Sequence, residues 1–449
     1  WSEYKGDIED VVGDLLPLLN EDRFINNNYW IEIGKALYNV EYTLRQKYIQ
    51  EKVRYTKEDF NGLEIWKFAT EKIDQDKAKC CSKYYKSQDF KTKNGITIKT
   101  IAWYAKDDDL KGYLNWHKKW SENELKASLK GDEIIKQGNT NIAKFLYKTY
   151  WLEIDFKSGK HPDLYIYCNN KWELNNDYEN LKRLISDDFK NKYIDYRTEL
   201  STQLLKDPEP NNNISLNNSI GAIVNILDFI TLNKYIDDLI KLSIQYFRSN
   251  IFEIYLDDND KLIGVKNGVI DFTGQSPLFR EGKPEDYISK CTKNEYNEEL
   301  DWEDENVKTC MKWFKQIFID DDLVEYYLSL SSSFLKGTNT NKVFMVFSGN
   351  GNNSKSMLKI LYEESLGDYA YTFPTTILTG KRTGSGSATP DTAGAEGARI
   401  CFLQEPDGSD TFNAGMLKEL SGGDKIYVRA LYGKAKNIPI KFSLILMFN

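Results

Sequence analysis

The stretch KVFMVFSGNGNNSKSML, residues 342–358, constrains the fold more than any other part of the chain. Its first six residues form an apolar run rich in valine and phenylalanine, which reads as a short buried strand. A loop of glycine, asparagine and serine follows, and SMLKILYEESLG then continues at helical spacing. A buried strand that passes through small residues straight into a helix is one half of a βαβ unit. RICFL (399–403) and FSLILMF (442–448) are two more apolar runs, with AGMLKELSGG suited to a helix between them. Strands alternating with helices predict a three-layer α/β domain with a mostly parallel sheet from about residue 341.

The loop is Gly349-Asn350-Gly351-Asn352-Asn353-Ser354-Lys355-Ser356. It fits the phosphate-binding pattern G-x-x-x-x-G-K-[ST] except that Ser354 stands where glycine is usual. In such a loop backbone N–H groups wrap phosphates, and the helix N-terminus adds partial positive charge. Lys355 would reach the β- and γ-phosphates of ATP, and the Ser356 hydroxyl would ligate Mg²⁺. The other reading is a polar turn that uses glycine and asparagine for left-handed backbone. Ser354 favours that turn, because serine lacks glycine's freedom.

Three further elements follow in order. RICFLQEPDG gives an apolar strand ending at Gln404-Glu405-Pro406-Asp407. A carboxylate at a strand tip near such a loop is where an ATPase holds Mg²⁺ and polarises water, so Glu405 is the expected base and metal ligand. Asp407 is a second candidate, and a solvated acidic turn is the alternative. KELSGGDKIYVRALYGKAKNIP (418–439) comes next. From Gly415 to Asn449 there are six basic residues against two acidic ones, a net +4 inside a chain of net −8. IYVRALYGKAKNIPIKF can form a hairpin with Tyr432, Lys434 and Lys436 near its tip. A basic, aromatic tip suits a nucleic-acid backbone, whereas an ordinary solvated hairpin needs no ligand. Finally LILMFN ends a strand on Asn449, whose amide could sense a γ-phosphate or orient water.

The rest of the chain is less specific. At 449 residues, two to four domains are expected. Apolar residues at 41% and charged ones at 29% suit a globular protein, and no apolar run approaches the length of a membrane span. The start, WSEYKGDIEDVV, is polar, has no secretory character and lacks an initiator methionine, so a piece of a longer polypeptide is expected. Six cysteines without a C-x-x-C pair and only two distant histidines, His117 and His161, argue against structural zinc, a disulfide framework and histidine catalysis; a reducing compartment fits best. Residues 1 to about 125 look helical, with Trp30, Ile33, Leu37 and Val40 at helix-like spacing. Trp66, Trp103, Trp116 and Trp120 read as core anchors, with a base-stacking platform as the alternative. Farther on, LYIYCNNKWEL and KNGVIDF look like hairpins turning at Asn169-Asn170 and Asn267-Gly268, and DPEPNNNISLNN (207–218) reads as a loop and internal break.

Taken in order, the four C-terminal elements resemble the motifs of superfamily 3 helicases, an AAA+ branch found mainly in viruses and mobile elements. Within it the chain is similar to the poxvirus-type primase-helicases of nucleocytoplasmic large DNA viruses, with asfarvirus or giant-virus origin in view. KELSGGDKIYVRALYG resembles that family's B′ stretch and ARICFLQEP its Walker B strand. VKNGVIDF with FREGKPEDYISKCT resembles its lead-in domain. NYWIEIGKALYNV with GITIKTIAWYAKDD resembles the helical module after the primase domain. Several members of large-virus families also carry serine before the loop lysine.

The resemblance implies a helical module (1–125), an α+β lead-in or collar domain (126–340) and an AAA+ three-layer α/β ATPase core (341–449) that stops at motif C. It implies a hexameric homo-oligomeric ring drawing single-stranded DNA at a replication fork with 3′ to 5′ polarity, using ATP and Mg²⁺. Lys355, Glu405 and Asn449 would be catalytic, and Arg429, Tyr432, Lys434 and Lys436 would contact DNA. Implied partners are a primase domain in the same polypeptide and DNA polymerase or processivity factors, with no membrane. The implied setting is viral factories in the host cytoplasm, or the nucleus. Two departures stand out. Residues 1–125 offer no metal-binding carboxylate pair of a primase, and the arginine finger that completes a neighbour's ATP site is expected beyond Asn449. A non-catalytic ring scaffold with a decayed ATP site and a P-loop nucleotide kinase are the rival readings.

Overall fold

The computed structural model describes residues 11–50, 55, 60–91, 95–129, 138–159, 161–206, 210–339, 342–349, 351–379, 389–403, 413–423, 425–429 and 435–448. The chain forms two compact units, one of residues 1–166 with 174–253 and the other of 167–173 with 254–449. The expected edges near 125 and 340 each fall inside a unit. The architecture mixes helices with α/β structure that contains a parallel sheet. No single helix among the described residues is long and apolar enough to cross a membrane.

The first unit is chiefly helical. Trp30, Ile33, Leu37 and Val40 lie on one face of the helix Asn27–Gln50, and all four are buried. That face meets Trp66 of the helix Gly62–Glu71, whose ring is wholly buried, with its centroid 4.6 Å from that of Trp30. A Cβ on Gly34 would come within 2.6 Å of the Trp66 ring, so glycine lets the two helices close on the indole. Asn61, Asp74 and Thr97 accept early amides of the helices Gly62–Glu71, Gln75–Tyr85 and Ile98–Asp108. Such caps stabilise by about 1 kcal/mol each. β1 (Ile154–Phe156) is followed by β2 (Leu164–Cys168) and β3 (Lys171–Asn175), and the hairpin turn between the latter two, which belongs to the second unit, is made by Asn169 and Asn170 at φ 50° and 65°. Both central residues in left-handed conformation are what a tight hairpin needs.

The segment expected to be a loop at 207–218 is instead helical from Pro210, which opens a helix running to Ile230. Proline at the first helical position has a fitting φ and no amide to waste. Buried Ile223, Ile226 and Ile230 then hold the helix, so packing overrides an asparagine-rich start.

One buried carboxylate in this unit has a pH consequence. Asp155 of β1 accepts the amides of Phe156 (2.8 Å) and Ser249 (3.1 Å), and Lys99 Nζ stands 3.6 Å away. Burial pushes its carboxyl up to about 6, more than Lys99 and the two amides pull it down. The folded protein then holds a proton that the unfolded chain releases near 3.8, so stability falls as pH rises from there to about 6. Asp155→Asn keeps an oxygen acceptor and removes the titration. Relative to wild type, the variant is expected to gain stability in urea at pH 7 but not near pH 4.

In the second unit β4 (Leu262–Val265), β5 (Gly268–Asp271) and β6 (Leu278–Arg280) form an antiparallel meander. Its first turn is Lys266-Asn267, one residue earlier than expected, because Gly268 already pairs with Val265. A Cβ at 268 would meet the Arg280 carbonyl oxygen at 2.5 Å. The parallel sheet contains β7 (Phe344–Ser348), β8 (Ala370–Phe373), β9 (Ile400–Leu403) and β12 (Ser443–Phe448) in the order β7-β12-β9-β8. Between β9 and β12 lie the helix Ala414–Ser421 and the hairpin of β10 (Lys425–Arg429) and β11 (Ala435–Pro439).

Alternation along the strands divides the core in two. Ile400, Phe402, Ile445 and Met447 pack with Leu358, Tyr362 and Leu366 of the helix Lys355–Leu366. Cys401, Leu403, Leu444 and Leu446 pack on the other side with Leu420, Ile426 and Val428. This is the three-layer arrangement a parallel sheet requires.

β7 departs from the buried strand expected, since Phe344 and Val346 are 38% and 51% exposed. It is an edge strand with β12 as its one neighbour among the described residues. The meander is tied to the amino-terminal end of the sheet. Tyr369, just before β8, accepts the Gly264 amide (2.9 Å), and Arg399, just before β9, donates to the Leu262 carbonyl (2.8 Å). Those ties leave the carboxyl-terminal end of the sheet for the loop that follows β7.

Candidate nucleotide site and nucleic-acid face

β7, β12 and β9 end close together in register, Ser348 opposite Phe448 and Leu403 opposite Leu446. In open parallel sheets ligands bind outside the carboxyl ends of the strands, where helix N-termini also point. Here the chain leaves Ser348, passes through Gly349 to Ser354, and enters a twelve-residue helix at Lys355.

The loop curls because two residues adopt left-handed backbone, Asn352 at φ 63° and Ser354 at φ 65°. Asparagine tolerates that region, whereas serine is strained there. The pattern's usual glycine thus has a geometric reason, and Ser354 meets the same requirement at a cost. Serine is a favoured capping residue, yet Ser354 makes no side-chain cap to the helix it precedes. Among the described residues no side chain caps the first amides of that helix at the mouth of the loop. A Cβ on Gly349 would lie 1.9 Å from Asn353 Nδ2, so the Asn353 amide needs glycine beneath it. Lys355 Nζ donates to the Gly349 carbonyl (2.6 Å) and to Asn353 Oδ1 (2.9 Å), which folds its ammonium back over the loop. Asn352 through Met357 line a cavity of about 350 Å³. Gly351 and Ser356 face solvent.

An uncapped helix N-terminus, a lysine ammonium and an exposed serine hydroxyl within one small cavity suit a polyphosphate with Mg²⁺. That ion takes only one or two protein oxygens and draws its other ligands from phosphate and water. Asn350, Glu405, Asp407 and Asn449 lie outside the described residues. β9 and β12 nevertheless deliver the chain to Leu403 and Phe448, immediately before Gln404-Glu405 and Asn449.

Strain at Ser354 can be measured. Left-handed backbone costs an ordinary L-residue about 1–2 kcal/mol, and glycine's extra freedom in the unfolded chain gives back about 0.5–1 kcal/mol. Ser354→Gly is therefore expected to raise the stability of the second unit by up to about 1 kcal/mol. A shift of the denaturant midpoint in that direction, at unchanged slope, is the check.

A larger cavity, about 600 Å³, lies in the first unit among Tyr113, His117, Phe145 and Tyr150. Its lysines are already engaged, Lys106 with Glu153 (3.2 Å), Lys118 with Glu199 (2.8 Å) and Lys192 with Asp188 (3.5 Å). Carboxylates outnumber lysines along its wall, so it is a poor seat for phosphate.

The expected hairpin is present as β10 and β11, and its tip residues Tyr432 and Lys434 lie outside the described residues. Arg429 ends β10 on the exposed face, and its backbone amide and carbonyl bond Thr389 at 2.9 and 2.8 Å. Lys436 is engaged with Glu396, at 2.7 and 2.6 Å to the two carboxylate oxygens. Both side chains are a little under half exposed, so the pair contributes at most about 1 kcal/mol and leaves Lys436 able to exchange. Lys425, counted among the basic residues but not as a DNA contact, and Tyr427 share the exposed face of β10 with Arg429. The alternation in KIYVR was the signal for them.

The chain is 30% identical over 441 residues to "Putative helicase L207/L206" of Acanthamoeba polyphaga mimivirus, covering 97% of this chain and 42% of that protein. It is 25% identical over 457 residues to "Putative helicase 121R" of Invertebrate iridescent virus 3, covering 94% of this chain and 46% of the relative. A shorter match, 34% over 131 residues, joins 29% of the chain to 14% of "Putative helicase 022R" of Frog virus 3. The chain thus spans less than half the length of these relatives. No family model matches it.

Proposed function

We propose that the second unit is the ATP-hydrolysing motor of a viral DNA helicase of the superfamily 3, AAA+ type. The observation that carries this reading is the open, uncapped helix N-terminus at Lys355, set at the carboxyl end of a parallel sheet. Homology to viral proteins named as helicases supports it from a separate direction.

ATP with Mg²⁺ supplies the phosphoanhydride whose cleavage drives movement. The amides of Lys355 and Ser356 would hold its phosphates, with Lys355 Nζ released from Gly349 and Asn353 to neutralise their charge. The Ser356 hydroxyl would serve as a metal ligand. Glu405 would take the proton of the attacking water, and Asn449 would orient that water. Single-stranded DNA would run along the basic hairpin, in a hexameric ring with 3′ to 5′ polarity. A primase domain of the same polypeptide, a polymerase or processivity factor, and cytoplasmic or nuclear replication sites complete the proposal.

The test is hydrolysis of ATP by the full-length protein with and without single-stranded DNA. Stimulation by DNA is the expected result. A protein that binds DNA but hydrolyses ATP at the same basal rate with or without it would instead be a scaffold or an unrelated P-loop enzyme.

A further inference from the structure

The net charge of −8 is concentrated in one short stretch: residues 295–305 hold seven acidic residues and no basic one. Leu300 and Trp302 stand among those acids, 52% and 70% exposed, whereas Trp30, Trp66 and Trp172 are buried.

The stretch belongs to the second unit and is held at both ends. Asn267 Oδ1 accepts the Tyr296 amide and Asn267 Nδ2 donates to the Tyr296 carbonyl, both at 2.8 Å. The Tyr296 ring lies 5.1 Å from that of Phe279. At the other end Asp304 accepts the Asn306 and Val307 amides at 2.8 and 3.3 Å, which starts the helix Glu305–Phe318. Between these anchors Asn297 accepts the Glu299 amide (2.9 Å) and Asp301 the Glu303 amide (2.8 Å). An indole fixed in water keeps its burial energy for a partner, and tryptophan and arginine are both enriched at the centres of protein interfaces.

The surrounding charge says what that partner carries. Glu298 and Glu299 have no partner among the described residues. Glu303 has Lys308 at 3.2 Å, a solvent-exposed pair that exchanges readily. Among the described residues no three acidic, histidine or cysteine side chains come together as metal ligands, so the acids are spread along the stretch. Spread carboxylates around a flat ring suit an extended cation. Arginine matches both parts, because its planar guanidinium stacks on an indole and forks onto a carboxylate, whereas lysine offers a point charge.

We infer that residues 295–305 are a docking site for an arginine-rich segment of a partner protein. One guanidinium lies on Trp302 while others pair with Glu298, Glu299 and the neighbouring acids. The inference does not depend on the motor reading.

The test titrates the full-length protein, without nucleotide, into fluorescein-labelled nona-arginine and nona-lysine, read by anisotropy over a range of salt. Wild type is expected to bind nona-arginine the more tightly. Trp302→Leu is expected to lose about 2- to 30-fold in affinity for nona-arginine and to hold the two peptides alike. Trp302→Phe, which keeps a ring, is expected to retain part of the preference and serves as the check on folding. Glu298→Gln with Glu299→Gln is expected to weaken both peptides and flatten the salt dependence. Asp237→Asn with Asp238→Asn, in the first unit, is expected to change neither. Equal affinity of wild type for the two peptides overturns the inference, as does a Trp302→Leu protein that keeps the preference. Equal losses in the two double variants overturn it too, since the attraction would then be to net charge alone. A Trp302→Leu protein whose assembled mass changes while its peptide binding does not also overturns it, and makes the stretch a contact between copies.

Discussion

Lys355→Ala is expected to lower DNA-stimulated ATP hydrolysis by the full-length protein about 10²- to 10³-fold, the usual loss when one preorganised charge donor is removed from a reacting centre. Among the described residues the ammonium bonds to the Gly349 carbonyl and Asn353 Oδ1, the second of them exposed. Water can replace it there, so the unfolding midpoint should move by no more than about 0.5 kcal/mol. In the reacting complex the same ammonium would face several phosphate oxygens in a cavity with no other lysine among the described residues of its wall. Lys355→Arg is not expected to restore the rate, because a planar fork cannot replace a compact point charge in so short a loop. Unchanged hydrolysis in a folded Lys355→Ala protein would sink the motor reading. It would also reassign the loop as a polar turn.

The second large effect concerns the first unit. Trp66→Ala is expected to cost about 3–5 kcal/mol of stability. The ring is wholly buried and meets Trp30 and Phe90, with centroids at 4.6 and 5.4 Å, and Gly34 holds the neighbouring helix too close for small shifts to fill the space. Trp66→Phe should cost less than its lost volume suggests. The indole N–H of Trp66 is buried without a hydrogen-bond partner among the described residues, and phenylalanine removes that penalty. Urea unfolding by far-UV circular dichroism, with hydrogen exchange over residues 62–71, separates the two variants. Equal losses would mean that the N–H carries no penalty.

How much the chain revealed in advance depended on whether the governing contact was local. The strand–loop–helix at 344–366 and the alternate burial along β9 and β12 follow from spacing alone, and both were legible. The conformation of Ser354 was not. Residue type argues against left-handed backbone, and only closure of the loop between β7 and its helix imposes it. The exposure of β7 was hidden for another reason. Its composition is that of a core strand, but among the described residues the sheet order sets it at an edge beside β12, a strand 100 residues away. The helix from Pro210 was missed because its asparagines advertise a loop while its stability comes from Ile223 to Ile230 and their packing. Lys436 looked available for DNA, and Glu396, 40 residues earlier, holds it through a contact no local pattern records. On β10 the alternation in KIYVR already sets Lys425, Tyr427 and Arg429 on one face.

Among the described residues β7 has no strand on its far side, beside the exposed Phe344 and Val346, and a further extended segment that docked there would lengthen the sheet by pairing backbone to backbone.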